Sequence, residues 1–297
     1  MRTQKGFTPA LLERFERLGR GASIYEHYIP WHRVSRSDPA SIGRSHLQVW
    51  QGRQRELLSD IEWVTFFFCS MLADVVDIRE QFPLNRKQST HELAAYGQGL
   101  LYASEFCGTI EIAKELGVKH PKIFFGGDSI EWVMTTDLLL TLKTSDGKLQ
   151  LLAVAVKPDS AKNKPRTQEL LDIERTYWEK RGVQWLLITP ELHGAMVAET
   201  LRNSAAWALG KPSSGEHINF AAASVQRFAR KSLTDTLRYL ATEFQDMDMA
   251  QRAFWQAVWC GQIPLDLQRG WRPHEPIVLL DAASFLALNP IASRRSA

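Results

Sequence analysis

Two β-rich runs, residues 133–142 and Leu149–Val156, flank Ser145-Asp146-Gly147, and no other feature constrains the chain as much. A short polar stretch ending in glycine closes antiparallel strands because glycine reaches the positive φ of tight turns without steric cost. The second run is apolar from Leu151 and ends Ala155-Val156-Lys157-Pro158. Side chains alternate along a strand, so Ala155 and Lys157 share a face. The first run carries Asp137 after Thr135-Thr136, and the hairpin can therefore set an acid beside a lysine.

An apolar strand that ends in lysine beside an acid suits phosphodiester hydrolysis. Asp137 and a second carboxylate would hold Mg²⁺, with Mn²⁺ as substitute, through oxygen ligands. Lys157 would orient or help deprotonate the attacking water and offset charge on the phosphorane. Glu62 is the candidate second acid because it lies directly against the apolar run 63–73. Each residue also has a plainer reading. Ser59-Asp60-Ile61-Glu62 fits a capping box in which Glu62 bonds back to the Ser59 backbone. Asp137 fits a polar edge-strand position, and Lys157 a lysine snorkelling from a strand end.

The other elements follow from periodicity and stop signals. Thr8 as N-cap and Pro9 at the first helical position predict a helix that Gly19 to Gly21 would end. A basic, irregular arm with Pro30 and Pro39 follows, then a core helix from Ser59 through the 63–72 stretch. Residues 75–82 alternate as a strand closed by Pro83, and two helical stretches come next, the second over 109–116. A helix over 166–180 and a buried strand over 183–188 complete the first half. Beyond Thr189 the pattern becomes helical, at 192–209, 219–244 and 248–260, with a Gly- and Pro-punctuated tail holding a short apolar run at 277–280. The predicted division lies near Pro190, giving domains 1–189 and 190–297.

With 44% hydrophobic and 23% charged residues, the chain can bury a core without staples. Cys69, Cys107 and Cys260 are too scattered for a disulfide framework or a zinc site, which favours a reducing, cytoplasmic setting. No cationic start leads into an apolar segment, and the 63–73 run is too short to span a bilayer, so neither export nor a membrane partner is expected.

A net charge of +3 identifies no partner, but Arg2, Lys5, Arg14, Arg17, Arg20, Arg33, Arg36, Arg44, Arg53 and Arg55 crowd the first part of the chain. Their arm lacks an apolar period, which predicts ordering on DNA or a partner. Arg227, Arg230, Lys231 and Arg238 on the 219–244 helix fit either a phosphate-facing set or a solvated face. Glu174 and Gln81 are each open between site support and a surface role. Gly127-Asp128-Ser129-Ile130 reads as a turn, and His91, His120 and His193 lack the spacing of a helical zinc pair.

Taken together, several segments resemble the TnsA family, the endonuclease subunit of heteromeric transposases. They include Tyr28-Ile29-Pro30-Trp31, Gly52-Arg53, the stretch from Leu57 to Glu62, Asp77-Ile78-Arg79-Glu80-Gln81-Phe82-Pro83-Leu84, Thr109 with Ile112-Ala113, and His120-Pro121. Met134-Thr135-Thr136-Asp137, Ala155-Val156-Lys157-Pro158, Glu174-Arg175-Thr176-Tyr177-Trp178 and Trp185-Leu186-Leu187-Ile188-Thr189 continue the series. The resemblance implies an α/β, restriction-endonuclease-like (PD-(D/E)xK) catalytic domain, with Glu62, Asp137 and Lys157 as the metal-binding acids and the lysine. It implies the Val156 backbone carbonyl as a further metal ligand. It also implies cleavage of transposon 5′ ends in double-stranded DNA beside a TnsB-type transposase and a TnsC-type AAA+ ATPase. The second domain would be winged-helix-like and bind a partner, and the protein would join the nucleoid when on DNA. Ala155 departs from related nucleases, which carry Glu or Gln there, and leaves a second metal without side-chain support. Two rivals remain open: a catalytically silent DNA-binding or scaffolding subunit, and a stand-alone restriction-type nuclease.

Overall fold

A computed structural model describes residues 6–41, 43–97, 104–227 and 230–295, and Arg2 and Lys5 of the basic arm lie outside them. The residues group into two compact units. One runs to Trp63 and resumes over Asp74–Thr189; the other takes Val64–Ala73 with Pro190–Arg295.

In the first unit, α1 (Pro9–Arg17) starts where Thr8 caps it, the hydroxyl accepting from Leu11 N at 3.2 Å. A hairpin of β1 (His46–Trp50) and β2 (Arg53–Leu57) precedes α2 (Asp60–Ser70) and β3 (Val75–Pro83). α3 (Thr109–Glu115) leads to a second hairpin, β4 (Lys122–Phe125) and β5 (Asp128–Glu131). Then come β6 (Thr135–Lys143), β7 (Leu149–Val156), the single turn α4 (Asp159–Lys162), α5 (Pro165–Glu179) and β8 (Gln184–Ile188).

The main sheet has the order β3-β6-β7-β8, antiparallel except for the parallel β7–β8 pair. Parallel neighbours need a long crossover, and α4 and α5 lie within it. Ile173, Tyr177 and Trp178 of α5 join Phe82, Leu139, Leu151 and Ala153 in one core cluster. Burying each large side chain of this kind contributes about 1.5–3 kcal/mol. The Trp178 indole donates to Thr136 Oγ1 at 2.7 Å, which ties α5 to the start of β6.

The basic arm corrects the expectation drawn from it. Arg20, Arg33, Arg53 and Arg55 are held by the protein's own acids. Arg20 donates to Asp38 Oδ2 at 3.0 Å and to the Trp31 carbonyl at 2.7 Å. Arg33 pairs with Glu56, and Arg53 reaches both oxygens of Glu80 at 2.7 Å. Arg55 bonds to the Ile78 carbonyl and lies 3.6 Å from Asp77. Arg53 and Arg55 recur at period two on β2 and are buried, a pattern that a search for apolar periodicity cannot see. Gly127-Asp128-Ser129-Ile130 is corrected in part: Gly126 and Gly127 make the turn at φ 60° and 93°, and Asp128 onward belongs to β5.

The second unit contains α6 (Ala195–Ala208), α7 (Gly215–Arg227), α8 (Leu233–Phe244), α9 (Met247–Trp259) and α10 (Ala282–Ala287). α9 packs on α6, α7 and α8. The single helix expected over 219–244, of which residues 228–229 fall outside the description, is two helices. Ser232 starts the second by accepting from Asp235 N at 3.0 Å, the N-cap signal that an unbroken apolar period conceals. Arg227 and Arg238 therefore sit on different helices rather than on one face. Within the unit, Asn289 Nδ2 donates to the Phe68 carbonyl at 2.9 Å and Trp259 Nε1 to Ser70 Oγ at 3.0 Å. Among the described residues its only β pairings are the isolated bridges Ser232–Pro276 and Leu265–Leu279. Among the described residues, too, no helix is long and apolar enough to cross a membrane.

Candidate active site

β6 and β7 pair from Lys143–Leu149 to Leu138–Val154, where the ladder stops. One residue further the Asp137 side chain substitutes for the missing backbone partner, its Oδ2 accepting from Val156 N at 2.6 Å. The same oxygen accepts from Lys157 Nζ at 3.0 Å, and that ammonium also donates to the Val156 carbonyl at 2.9 Å. Lys157 N donates to the Ile188 carbonyl at 3.1 Å, so pairing with β8 fixes the backbone that carries the lysine. With side chains 29% and 13% exposed, Lys157 and Asp137 are both open to solvent.

Glu62 comes from the first turn of α2. Ser59 Oγ accepts from Glu62 N at 3.2 Å and donates to Glu62 Oε1 at 2.9 Å. Glu62 Oε2 accepts from Leu58 N at 3.0 Å and from Gln81 Nε2 at 3.1 Å. The capping arrangement therefore exists, with Leu58 rather than Ser59 as the backbone donor. It does not compete with a site role, because the same bonds aim the carboxylate toward β3. Burial above all, then the charge of Asp137, pushes the Glu62 carboxyl up to about 7, against the opposing Leu58 N–H, Ser59 hydroxyl and Lys157.

A third acid joins this group. Glu174 is buried on α5, and burial raises its carboxyl to about 7; Lys157 opposes that rise and Asp137 adds to it. Its Oε1 is buried without a hydrogen-bond partner. Burial alone would lower the Lys157 ammonium, but Asp137, Glu174 and Glu62 outweigh it and hold it above its ordinary value. Glu174 had a legible signal: Leu171, Tyr177 and Trp178, at −3, +3 and +4, are buried on the same helix, so an acid stands within the apolar stripe. Arg166 and Glu169, by contrast, form an exposed i,i+3 pair at 2.6 Å. Gln81, which bonds to Glu62, gave no such signal.

Asp137 touches Lys157 directly, and the charges of Glu174 and Glu62 act on the same ammonium, three carboxylates against one cation. That surplus of negative charge in a largely buried place is the environment a hard divalent cation would neutralise. Glu62, Asp137 and the Val156 carbonyl offer oxygen donors only, which suits Mg²⁺ or Mn²⁺ over zinc or copper. Elsewhere, Cys107, Glu111 and Glu115 bring donor atoms within 4.8 Å of one another, but the two acids are exposed and Glu115 is paired with Lys180 at 2.6 Å.

A comparison with known families defines the class. Residues 72–190 match the model of the TnsA-like endonuclease N-terminal domain. Over 203 residues the chain is 32% identical to the Transposon Tn7 transposition protein TnsA of Escherichia coli, a match covering 67% of this chain and 64% of that protein. The chain thus contains a TnsA-like endonuclease N-terminal domain, and it spans less than two thirds of the length of the TnsA relative that it matches. Gln81, Asp137, Lys157 and Glu174 fall inside the family-model match, whereas Glu62 precedes it.

Proposed function

We propose that this chain is the Mg²⁺-dependent endonuclease subunit of a heteromeric transposase and cuts the 5′ ends of the transposon in cut-and-paste transposition. The observation that carries the reading is the Asp137–Lys157–Val156 cluster at the open end of the β6–β7 ladder, facing Glu62 and Glu174. Glu62, Asp137 and the Val156 carbonyl would hold the metal. When bound, it supplies Lewis-acid polarisation of the scissile phosphate and acidifies a water. Lys157 would turn from its present partners to orient the attacking water and offset charge on the phosphorane. Glu174, buried on α5, favours the charged form of that ammonium. Ala155 is fully buried, so its methyl leaves the strand's usual acid position empty of charge. That supports a site with one side-chain-held metal.

The sheet with its acid–lysine hairpin supports a restriction-endonuclease-like fold for residues 1–189. The helices and isolated bridges of 190–297 support a winged-helix-like, partner-binding domain. By analogy with the family, the partners are transposon-end DNA, a TnsB-type transposase and a TnsC-type AAA+ ATPase. Reconstitution with that transposase and ATPase on supercoiled donor DNA, with every strand break mapped, tests the reading. Wild type should give 5′-end cuts in the full assembly and Asp137→Ala none. Unchanged 5′ cutting by folded Asp137→Ala overturns it, and efficient cutting by the chain alone favours a stand-alone nuclease.

A further inference from the structure

Gln81 is the most constrained residue next to the acids. It lies between the Glu80–Leu138 and Phe82–Thr136 pairs, hence opposite Asp137 in the β3–β6 register. Its φ is +48°, a left-handed conformation inside a strand. Non-glycine residues adopt this only under strain, and it persists only where the surroundings over-determine it. They do so here. The Gln81 carbonyl accepts from Trp31 N at 3.2 Å, and the preceding Glu80 is clamped by Arg53 and by Glu56 N.

The strained backbone turns the side chain to a definite task. The amide Nε2 donates to Glu62 Oε2 at 3.1 Å, and its Oε1 accepts from Thr135 Oγ1 at 3.3 Å. Gln81 is 3% exposed, so solvent cannot replace either bond. Leu58 N, Ser59 Oγ and Gln81 Nε2 together hold the Glu62 carboxylate, and only Gln81 comes from the sheet that carries Asp137. Helix α2 on its own could orient Glu62 but could not register it against β6.

We propose that Gln81 is a positioning residue: its side chain orients the Glu62 carboxylate from the sheet that carries Asp137, so that the two acids can bind one divalent metal. This rests on the reading of Glu62 and Asp137 as metal ligands. Outer partners that orient ligating carboxylates typically govern metal affinity by roughly 10–100-fold. The strain is kept because a strand residue of ordinary φ would direct its side chain elsewhere.

The test is direct Mn²⁺ binding to the full chain, by calorimetry without DNA, for wild type, Asp137→Asn, Gln81→Met and Gln81→Asn, with melting temperature measured alongside. Methionine fills the volume but cannot hydrogen-bond. Asparagine keeps the amide and tolerates the left-handed φ but is one methylene short. The expected result is roughly 10–100-fold weaker Mn²⁺ binding in both Gln81 variants, with the Gln81→Asn melting temperature close to wild type. A space-filling or turn-forming role would leave Mn²⁺ affinity unchanged in Gln81→Asn. Affinity within twofold of wild type in that variant therefore overturns the proposal while leaving the metal site standing. Equal binding by wild type and Asp137→Asn removes the metal site itself, and this inference with it.

Discussion

Two clusters of buried charge meet along β3, and they are built on opposite plans. In the first, each acid has an arginine partner, Glu56 with half-exposed Arg33, Asp77 with Arg55 and Glu80 with Arg53, while buried Arg79 beside them lies over the Phe82 and Tyr96 rings. In the second, Glu62, Asp137 and Glu174 face Lys157 alone, and two of the acids are pushed up to about 7. Matched charge fastens the arm and β2 to the sheet; unmatched charge leaves a place where an added cation is favoured. The buried arginines are structural although arginine is the residue most often read as a nucleic-acid contact.

The largest expected effect is on the unmatched cluster. Asp137→Ala should lower 5′-end cleavage in the reconstituted reaction by on the order of 10³-fold, because it removes a proposed metal ligand and the partner of Lys157 together. Asp137→Asn, which keeps an acceptor for Val156 N, should show the same loss with little change in melting temperature.

Breaking the matched cluster should instead cost stability. Arg53→Met leaves Glu80 buried without its bidentate partner, and urea unfolding should register a loss of about 3–5 kcal/mol. The double variant Arg53→Met with Glu80→Leu should recover much of it. Equal losses in the single and double variants would show that Arg53 acts through packing on the Tyr28 ring, 5.1 Å away, rather than through charge.

Lys157→Met sharpens the comparison from the other side. The ammonium now bridges Asp137 Oδ2 and the Val156 carbonyl, the two oxygens proposed to face the metal. Cleavage should fall about 10²–10⁴-fold, as for other groups that manage a proton or charge in the transition state. Mn²⁺ binding by calorimetry should not weaken, since the resident cation is gone. A parallel loss of Mn²⁺ binding would mean that Lys157 builds the site rather than acts in it.

The smallest effect concerns a buried group outside both clusters. Burial lowers the proton affinity of His91, whose Nδ1 accepts from Leu93 N and whose Nε2 donates to the Arg181 carbonyl. The unfolded chain then binds the proton more readily, so this contribution is complete above about pH 6.5 and is lost as pH falls below it. The melting temperature of wild type should drop more between pH 7 and pH 5.5 than that of His91→Gln; parallel curves would exclude His91 as the source.

What could be read from the sequence was whatever is local. The 145–147 turn, the Thr8 cap, the apolar run ending at Lys157 and the family-like segments lie within spans of a few residues, where turn chemistry and side-chain period operate. These are enough to set Asp137 and Lys157 on neighbouring strands. Glu174 was half legible, as an acid in a buried stripe. The rest depended on chain closure. Gln81 meets Glu62 across 19 residues, Arg53 meets Glu80 across 27, and Trp178 meets Thr136 across 42. No period encodes such pairings, because a buried arginine and a solvated one look identical until the acid that faces it is known. The lysine at the end of an apolar strand was determined by sequence. That three acids act on its ammonium, two of them raised toward neutrality, was decided only when the folded chain buried Glu62 and Glu174.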